Sequence, residues 1–144
     1  MAAPNIDPIY TRVGDLGLGG GTGLGTSVIS DYDGTGANNA LFYTADSTNG
    51  SYVRSIRFKS KGTNAAAVAR IFINNNSSVG SAGNNSFYGE ISLPAVTAST
   101  TAATVDVDYP MGIALPPSYR IYIGISAASG LANGWTPTVI AGKY

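Results

Sequence analysis

The side chains of this chain that could shuttle a proton or grip a hard cation are eight carboxylates: Asp7, Asp15, Asp31, Asp33, Asp46, Glu90, Asp106 and Asp108. There is no His and no Cys. The commonest general base, the commonest nucleophile and the softer metal ligands are therefore missing. Asp106 and Asp108 stand at an i, i+2 spacing, which on a strand puts both on one face. A glycosidase pair comes instead from separate elements across a cleft. Two acids on the solvent face of an edge strand, available to basic groups of a neighbouring subunit, is the reading we adopt.

Asp31-Tyr32-Asp33-Gly34-Thr35-Gly36 has the opening of a calcium loop, but the position that needs a bidentate Glu is Phe42. An Asp- and Gly-rich turn accounts for it without metal. The run LGLGGGTGLG invites a phosphate-loop reading. It contains neither G-x-x-x-x-G-K-[ST] nor G-x-G-x-x-G, and no helical pattern follows it. No catalysis, no cofactor and no metal are expected. The profile is that of a chain that binds or builds.

Arg54, Arg57, Lys59 and Lys61 concentrate the positive charge in one short stretch of a chain whose formal net charge is zero. Nucleic-acid binding needs a far more basic surface. A solvated strand face, or an electrostatic seam to an acidic partner through Arg57, Lys59 and Lys61, fits better. Charged residues are 11% of the chain, against roughly 25% in ordinary soluble domains. Low charge with no net charge favours association, as in an assembly subunit. No stretch is long and apolar enough for a transmembrane helix. The start, MAAPNIDPIYTRVGD, has no basic or apolar leader region, so neither membrane nor secretory targeting is expected.

These side chains must be positioned by strands. Ile56 and Phe58 oppose Arg57, Lys59 and Lys61 within Tyr52–Lys61. Val68–Asn74, Phe87–Leu93 and Val105–Asp108 repeat the period of two, and Tyr119, Ile121, Ile123 and Ile125 give its clearest case. Leu41–Tyr43 and Trp135–Ala141 are further runs. Turn clusters such as STNG, KGTN, LPPS and SGLANG separate them. No segment carries a helical period. The pattern predicts an all-β fold of seven or eight short strands: a β-sandwich, a jelly roll or a barrel. Pro94, Pro110, Pro116, Pro117 and Pro137 are expected near strand ends. Trp135, the single Trp, is expected to be buried.

Residues 1–25 stand apart. Such a glycine-rich segment is expected to be an extended arm, because ordering glycine costs the most backbone entropy. The chain thus divides into an arm over 1–25 and a sandwich over 26–144. The arm is either folded back on its own domain or laid on a partner. Ile6, Ile9, Tyr10, Val13, Leu16 and Leu18 are its candidate anchors.

Residues from about 31 to 144 resemble a group of small all-β structural proteins of tailed bacteriophages. Three segments carry the likeness: DGTGANNALFYTADSTNGSYVRSIRFKSKGTNAAAVARIFINN, ISLPAVTAST and GIALPPSYRIYIGISAASGLANGWTPTVIAGKY. The group usually has Gly where this chain has Ser118, so the LPPS turn is expected to differ in type. The arm lies outside the likeness. The resemblance implies a virion component with a jelly-roll-like sandwich, on the outer surface of the phage head. Its role there would be capsid decoration, a cement subunit bridging neighbouring major capsid proteins. A homo-oligomer follows, a trimer favoured over a dimer, with no nucleic-acid or membrane partner. The alternative is a tail or fibre adhesion module that binds a host glycan.

Overall fold

The computed structural model describes residues 11–18, 24–25, 27–127 and 131–144. Eight strands run through them: β1 (Val13–Gly17), β2 (Ala40–Thr44), β3 (Ser51–Ser60), β4 (Ala67–Asn74), β5 (Asn85–Leu93), β6 (Asp106–Leu115), β7 (Arg120–Ser126) and β8 (Trp135–Lys143). A 3-10 turn, Ala82–Asn84, precedes β5. Among the described residues no helix is long and apolar enough to cross a membrane.

The strands form two four-stranded antiparallel sheets, ordered β1-β8-β3-β6 and β2-β7-β4-β5. The pairings are nested: β1 with β8, β2 with β7, β3 with β6, β4 with β5. The β3–β8 and β4–β7 ladders then complete the two sheets. A long hairpin wound round on itself in this way is a jelly roll, which settles the three all-β alternatives left by the alternating pattern in favour of the jelly-roll-like antiparallel β-sandwich of eight strands.

The core lies between the inner faces. Val53, Ile56 and Phe58 of β3 and Val139 of β8 meet Ala69 and Ile71 of β4 and Ile121, Ile123 and Ile125 of β7, all essentially without exposure. Trp135 joins them, fully buried. The alternation written in Tyr119–Ile125 is thus the alternation between core and outer face.

β4 departs from simple alternation. Arg70 and Phe72, on its outer face, are buried as well. The connection between β1 and β2 explains this. The Ile29 N–H bonds the Ile125 carbonyl (2.7 Å) beside β7. The chain then crosses the sheet, with the Asp31 carbonyl accepting from Arg70 Nη1 (3.1 Å) and the Asp33 carbonyl accepting from Asn85 Nδ2 (3.1 Å). A strand covered on both sides reads as a near-continuous apolar run, and AVARIFIN does.

Three expectations change. The division at residue 25 does not mark the start of the sandwich. β1 is an edge strand of the first sheet, and Leu24, 6% exposed, is a core residue bridged to Trp135. For Val13–Gly17 and Leu24 the arm is folded back on its own domain. Glycine content hid the strand because β1 is held by backbone pairing rather than by alternating side chains. Gly17 needs its missing Cβ, since a methyl there would sit 2.1 Å from the Phe42 carbonyl oxygen.

Two prolines lie within strands rather than at their ends. Pro110 is in β6, an edge strand, where proline is tolerated. Pro137 is in central β8. The Trp135 N–H and carbonyl both point to Leu24, so by alternation Pro137 directs its missing donor to that side and costs the β3–β8 ladder nothing. Finally, Ser118 takes φ 63°, the region glycine favours. The LPPS turn keeps a glycine-type backbone with a serine in it.

Candidate functional site

Residues paired across a ladder share a face, so the register shows what the outer side of the β1-β8-β3-β6 sheet displays. One row runs Leu16, Ile140, Ser55, Pro110. Tyr52 lies in the next row, between Gly142 and Ala114. On the other side Arg57 stands between Thr138 and Asp108, and Lys59 between Thr136 and Asp106. The face therefore grades from an apolar margin at β1 to a charged margin at β6. It brings together Leu16, Arg57 and Lys59, which the sequence had offered as two separate candidate surfaces.

Among the described residues no strand pairs with the far side of β1, the end strand of its sheet. Val13 is 60%, Leu16 58% and Leu18 61% exposed. These side chains contribute little to the core and are displayed. Ile6, Ile9 and Tyr10 lie outside the described residues. Asp15, between the displayed groups, is engaged within the chain. Its Oδ2 accepts from the Tyr43 hydroxyl (3.0 Å) and lies 3.5 Å from Lys143 Nζ. Burial, together with this carboxylate, pushes the Tyr43 hydroxyl up to about 12.

The basic face meets acid in its own chain. Arg57 Nη2 bonds Asp106 Oδ2, and Lys59 Nζ lies 3.8 Å from Asp106 Oδ1. The Arg57 hydrogen bond, then its charge, holds the Asp106 carboxyl below the ordinary carboxylate value. Lys61 is exposed past the end of β3, and its backbone N–H bonds the Gly134 carbonyl (3.1 Å). Asp108 faces solvent across from Arg57. A carboxylate clamped by guanidinium at the surface is a fixed anion, suited to complementary docking rather than to proton transfer.

The Asp31–Gly36 stretch is a turn tied by its own side chains. Asp33 Oδ1 accepts from the Thr35 N–H (3.0 Å) and hydroxyl (2.7 Å), and Asp31 Oδ2 accepts from Asn39 Nδ2 (3.0 Å). The Thr35 hydroxyl, above all, holds the Asp33 carboxyl below its ordinary value. Among the described residues no three His, Cys, Asp or Glu side chains gather as metal ligands.

Sequence reasoning missed a second cluster, on the outer face of the β2-β7-β4-β5 sheet. Arg70 places its guanidinium carbon 3.7 Å from the Tyr32 ring centroid, and Phe87 meets the same ring edge-on at 5.6 Å. Glu90 stands opposite Arg70 in the β4–β5 register. The one signal that pointed here was the two-sided burial of β4, which demands a covering segment. No protein-family model, no curated protein and no solved structure matches the chain.

Proposed function

We propose that this protein is a capsid decoration subunit of a tailed-bacteriophage head, bridging neighbouring major capsid proteins from outside. The observation that carries this reading is the display on β1. Val13, Leu16 and Leu18 are more than half exposed beside a strand edge that no described strand pairs with. Natural edge strands are usually blunted by lysine, proline or bulges, and Val13–Gly17 has none of these. The phage resemblance of residues 31–144 and the low charge of the chain support the same reading. So does the jelly-roll-like sandwich, a rigid body able to span a seam.

The mechanism is mechanical. Internal DNA pressure pushes capsid subunits apart, and interface buried across their seams resists that. β1 would supply backbone hydrogen bonds and apolar contact to the capsid or to another copy of the chain. The charged margin at Arg57, Lys59, Asp106 and Asp108 would fix orientation. A homo-oligomer, a trimer before a dimer, would place several such edges on the lattice at once.

The test is co-sedimentation with heads, lacking this component, of the phage that encodes the chain. Leu16→Asp combined with Leu18→Asp changes only exposed side chains and leaves the core intact. Loss of occupancy for that variant, with wild type bound in hundreds of copies per head, is the expected result. Equal occupancy would remove β1 from the attachment. A second reading, a tail or fibre adhesion module, draws on the exposed aromatic pair Tyr32 and Phe87. It requires a handful of copies per particle, in the tail fraction.

A further inference from the structure

The Tyr32 cluster has a chemistry of its own. We infer that the outer face of the β2-β7-β4-β5 sheet carries a carbohydrate platform, on which the exposed Tyr32 ring stacks against a neutral pyranose. The inference rests on no assignment to head or tail.

Tyr32 is 58% exposed and Phe87 40%, while Phe42, Tyr43, Phe58 and Phe72 are all buried. The fold has room for aromatics in its core yet leaves these two, like Tyr52, exposed. They are nonetheless fixed. The Arg70 guanidinium covers one face of Tyr32, and Arg70 is itself 7% exposed and tied to the Asp31 carbonyl. Phe87 packs against Tyr32 with the ring planes at 88° and rests against buried Phe72, with centroids 5.6 Å apart. A ring held over one face by Arg70, braced by Phe87 and still 58% exposed offers its remaining surface without the ordering cost of a free side chain. An exposed aromatic face takes the apolar C–H side of a sugar ring and leaves the hydroxyls wet or bonded at the rim.

The rim selects the ligand. Arg70 and Glu90 cancel in charge and lie 3.5 Å apart, so the platform offers no net attraction to phosphate or sialate. Glu90 is about half exposed, and among the described residues its carboxylate accepts no hydrogen bond. It can accept from sugar hydroxyls. Single-stranded nucleic acid also stacks on aromatics, but it needs a basic groove, and here the charge of Arg70 is offset by Glu90. The platform and β1 belong to different sheets, so both surfaces can be occupied together.

The experiment uses the full chain with cellohexaose, maltohexaose and N-acetylchitotetraose as neutral probes and sialyllactose as the charged control. Saturation-transfer NMR reads contact, and calorimetry reads affinity. At least one neutral probe should bind at millimolar concentration, with transfer strongest at ring C–H protons. Tyr32→Ala should weaken it by about tenfold, the value of one aromatic stack, while Tyr32→Phe should retain it. Unchanged thermal unfolding of both variants would show that the fold is intact. No transfer from any neutral probe, equal binding by Tyr32→Ala, or capture of sialyllactose alone would overturn the inference. Because the readout uses no phage particle, its failure is separate from failure of the head-attachment test.

Discussion

Leu24 and Trp135 hold each other by two backbone hydrogen bonds, each 2.7 Å, one in either direction. The contact fastens the glycine-rich segment into the core, with Leu24 6% exposed and Trp135 fully buried. It depends on Gly134, whose φ of 73° brings its backbone against the Leu24 carbonyl, where a methyl would sit 2.1 Å from the oxygen. A chain shortened to begin at Thr26 loses β1 and Leu24 together. It should unfold more easily than wild type by at least about 3 kcal/mol, the scale of one lost core leucine. A urea midpoint equal to that of the full chain would show that residues 1–25 are dispensable to the sandwich. Trp135→Ala should cost roughly 3–5 kcal/mol. Trp135→Phe should cost less, because it also removes an indole N–H that is buried without a partner.

Gly17→Ala should loosen β1 selectively. The added methyl would meet the Phe42 carbonyl oxygen at 2.1 Å, and backbone cannot step aside as a side chain can. Overpacking of this kind costs about 1–3 kcal/mol. Gly14→Ala, in the same strand, meets nothing within 4 Å and serves as the control. Hydrogen exchange over Arg12–Gly17 should quicken in the first variant and stay slow in the second. Equal protection in both would mean that β1 does not lie against β2.

Ser118 occupies φ 63° without being glycine. A left-handed backbone costs a residue with a Cβ roughly 1–2 kcal/mol. Ser118→Gly should recover part of that, offset by the extra freedom glycine gives the unfolded chain. The expected outcome is a modest rise in melting temperature, and a fall would mean that the serine is favoured by a contact worth more than the strain.

These sites differ in how far the sequence announces them. The strand of Ile121, Ile123 and Ile125 was legible because its alternation is the direct imprint of a core on one side. β3 was legible for the same reason, and its outer face correctly held Arg57 and Lys59. β1 was not, because Val13–Gly17 is specified by pairing with β8 and by a close approach at Gly17, neither of which leaves a periodic trace. Tyr32, Arg70 and Phe87 come from three separate stretches and meet only through the tertiary fold. The Arg57–Asp106 contact was hidden likewise: both residues were visible as surface charges, but only the β3–β6 register sets them side by side.

Tyr43 should ionise late. Its hydroxyl is raised from 10.0 to about 12, first by burial and further by the Asp15 carboxylate it bonds. A folded value above the unfolded one means that the unfolded chain releases its proton earlier. Stability from this group is therefore complete below pH 10 and declines as pH rises from 10 toward 12. Spectrophotometric titration of tyrosinate should show a late component that Tyr43→Phe removes. A titration unchanged by that substitution would place the hydroxyl in water.

Asp106 has the opposite sign. Its folded value lies below the ordinary 3.8, chiefly through the hydrogen bond from Arg57 and then through the charges of Arg57 and Lys59. The stabilisation is present above the unfolded value and is lost as pH falls through the lower folded one. Because a hydrogen bond leads the causes, salt and mutation should act unequally. Salt at 0.1 M screens exposed charges over about 10 Å, yet it leaves a direct N–H to carboxylate contact in place. Arg57→Ala removes both contributions. In a carboxyl-carbon NMR titration, Arg57→Ala should raise Asp106 toward its ordinary value, and Lys59→Ala and added salt should each raise it less. If salt alone restored the ordinary value, the Arg57–Asp106 contact would be a diffuse charge attraction. The charged margin of this face would then be free to exchange Arg57 and Asp106 onto a docking partner.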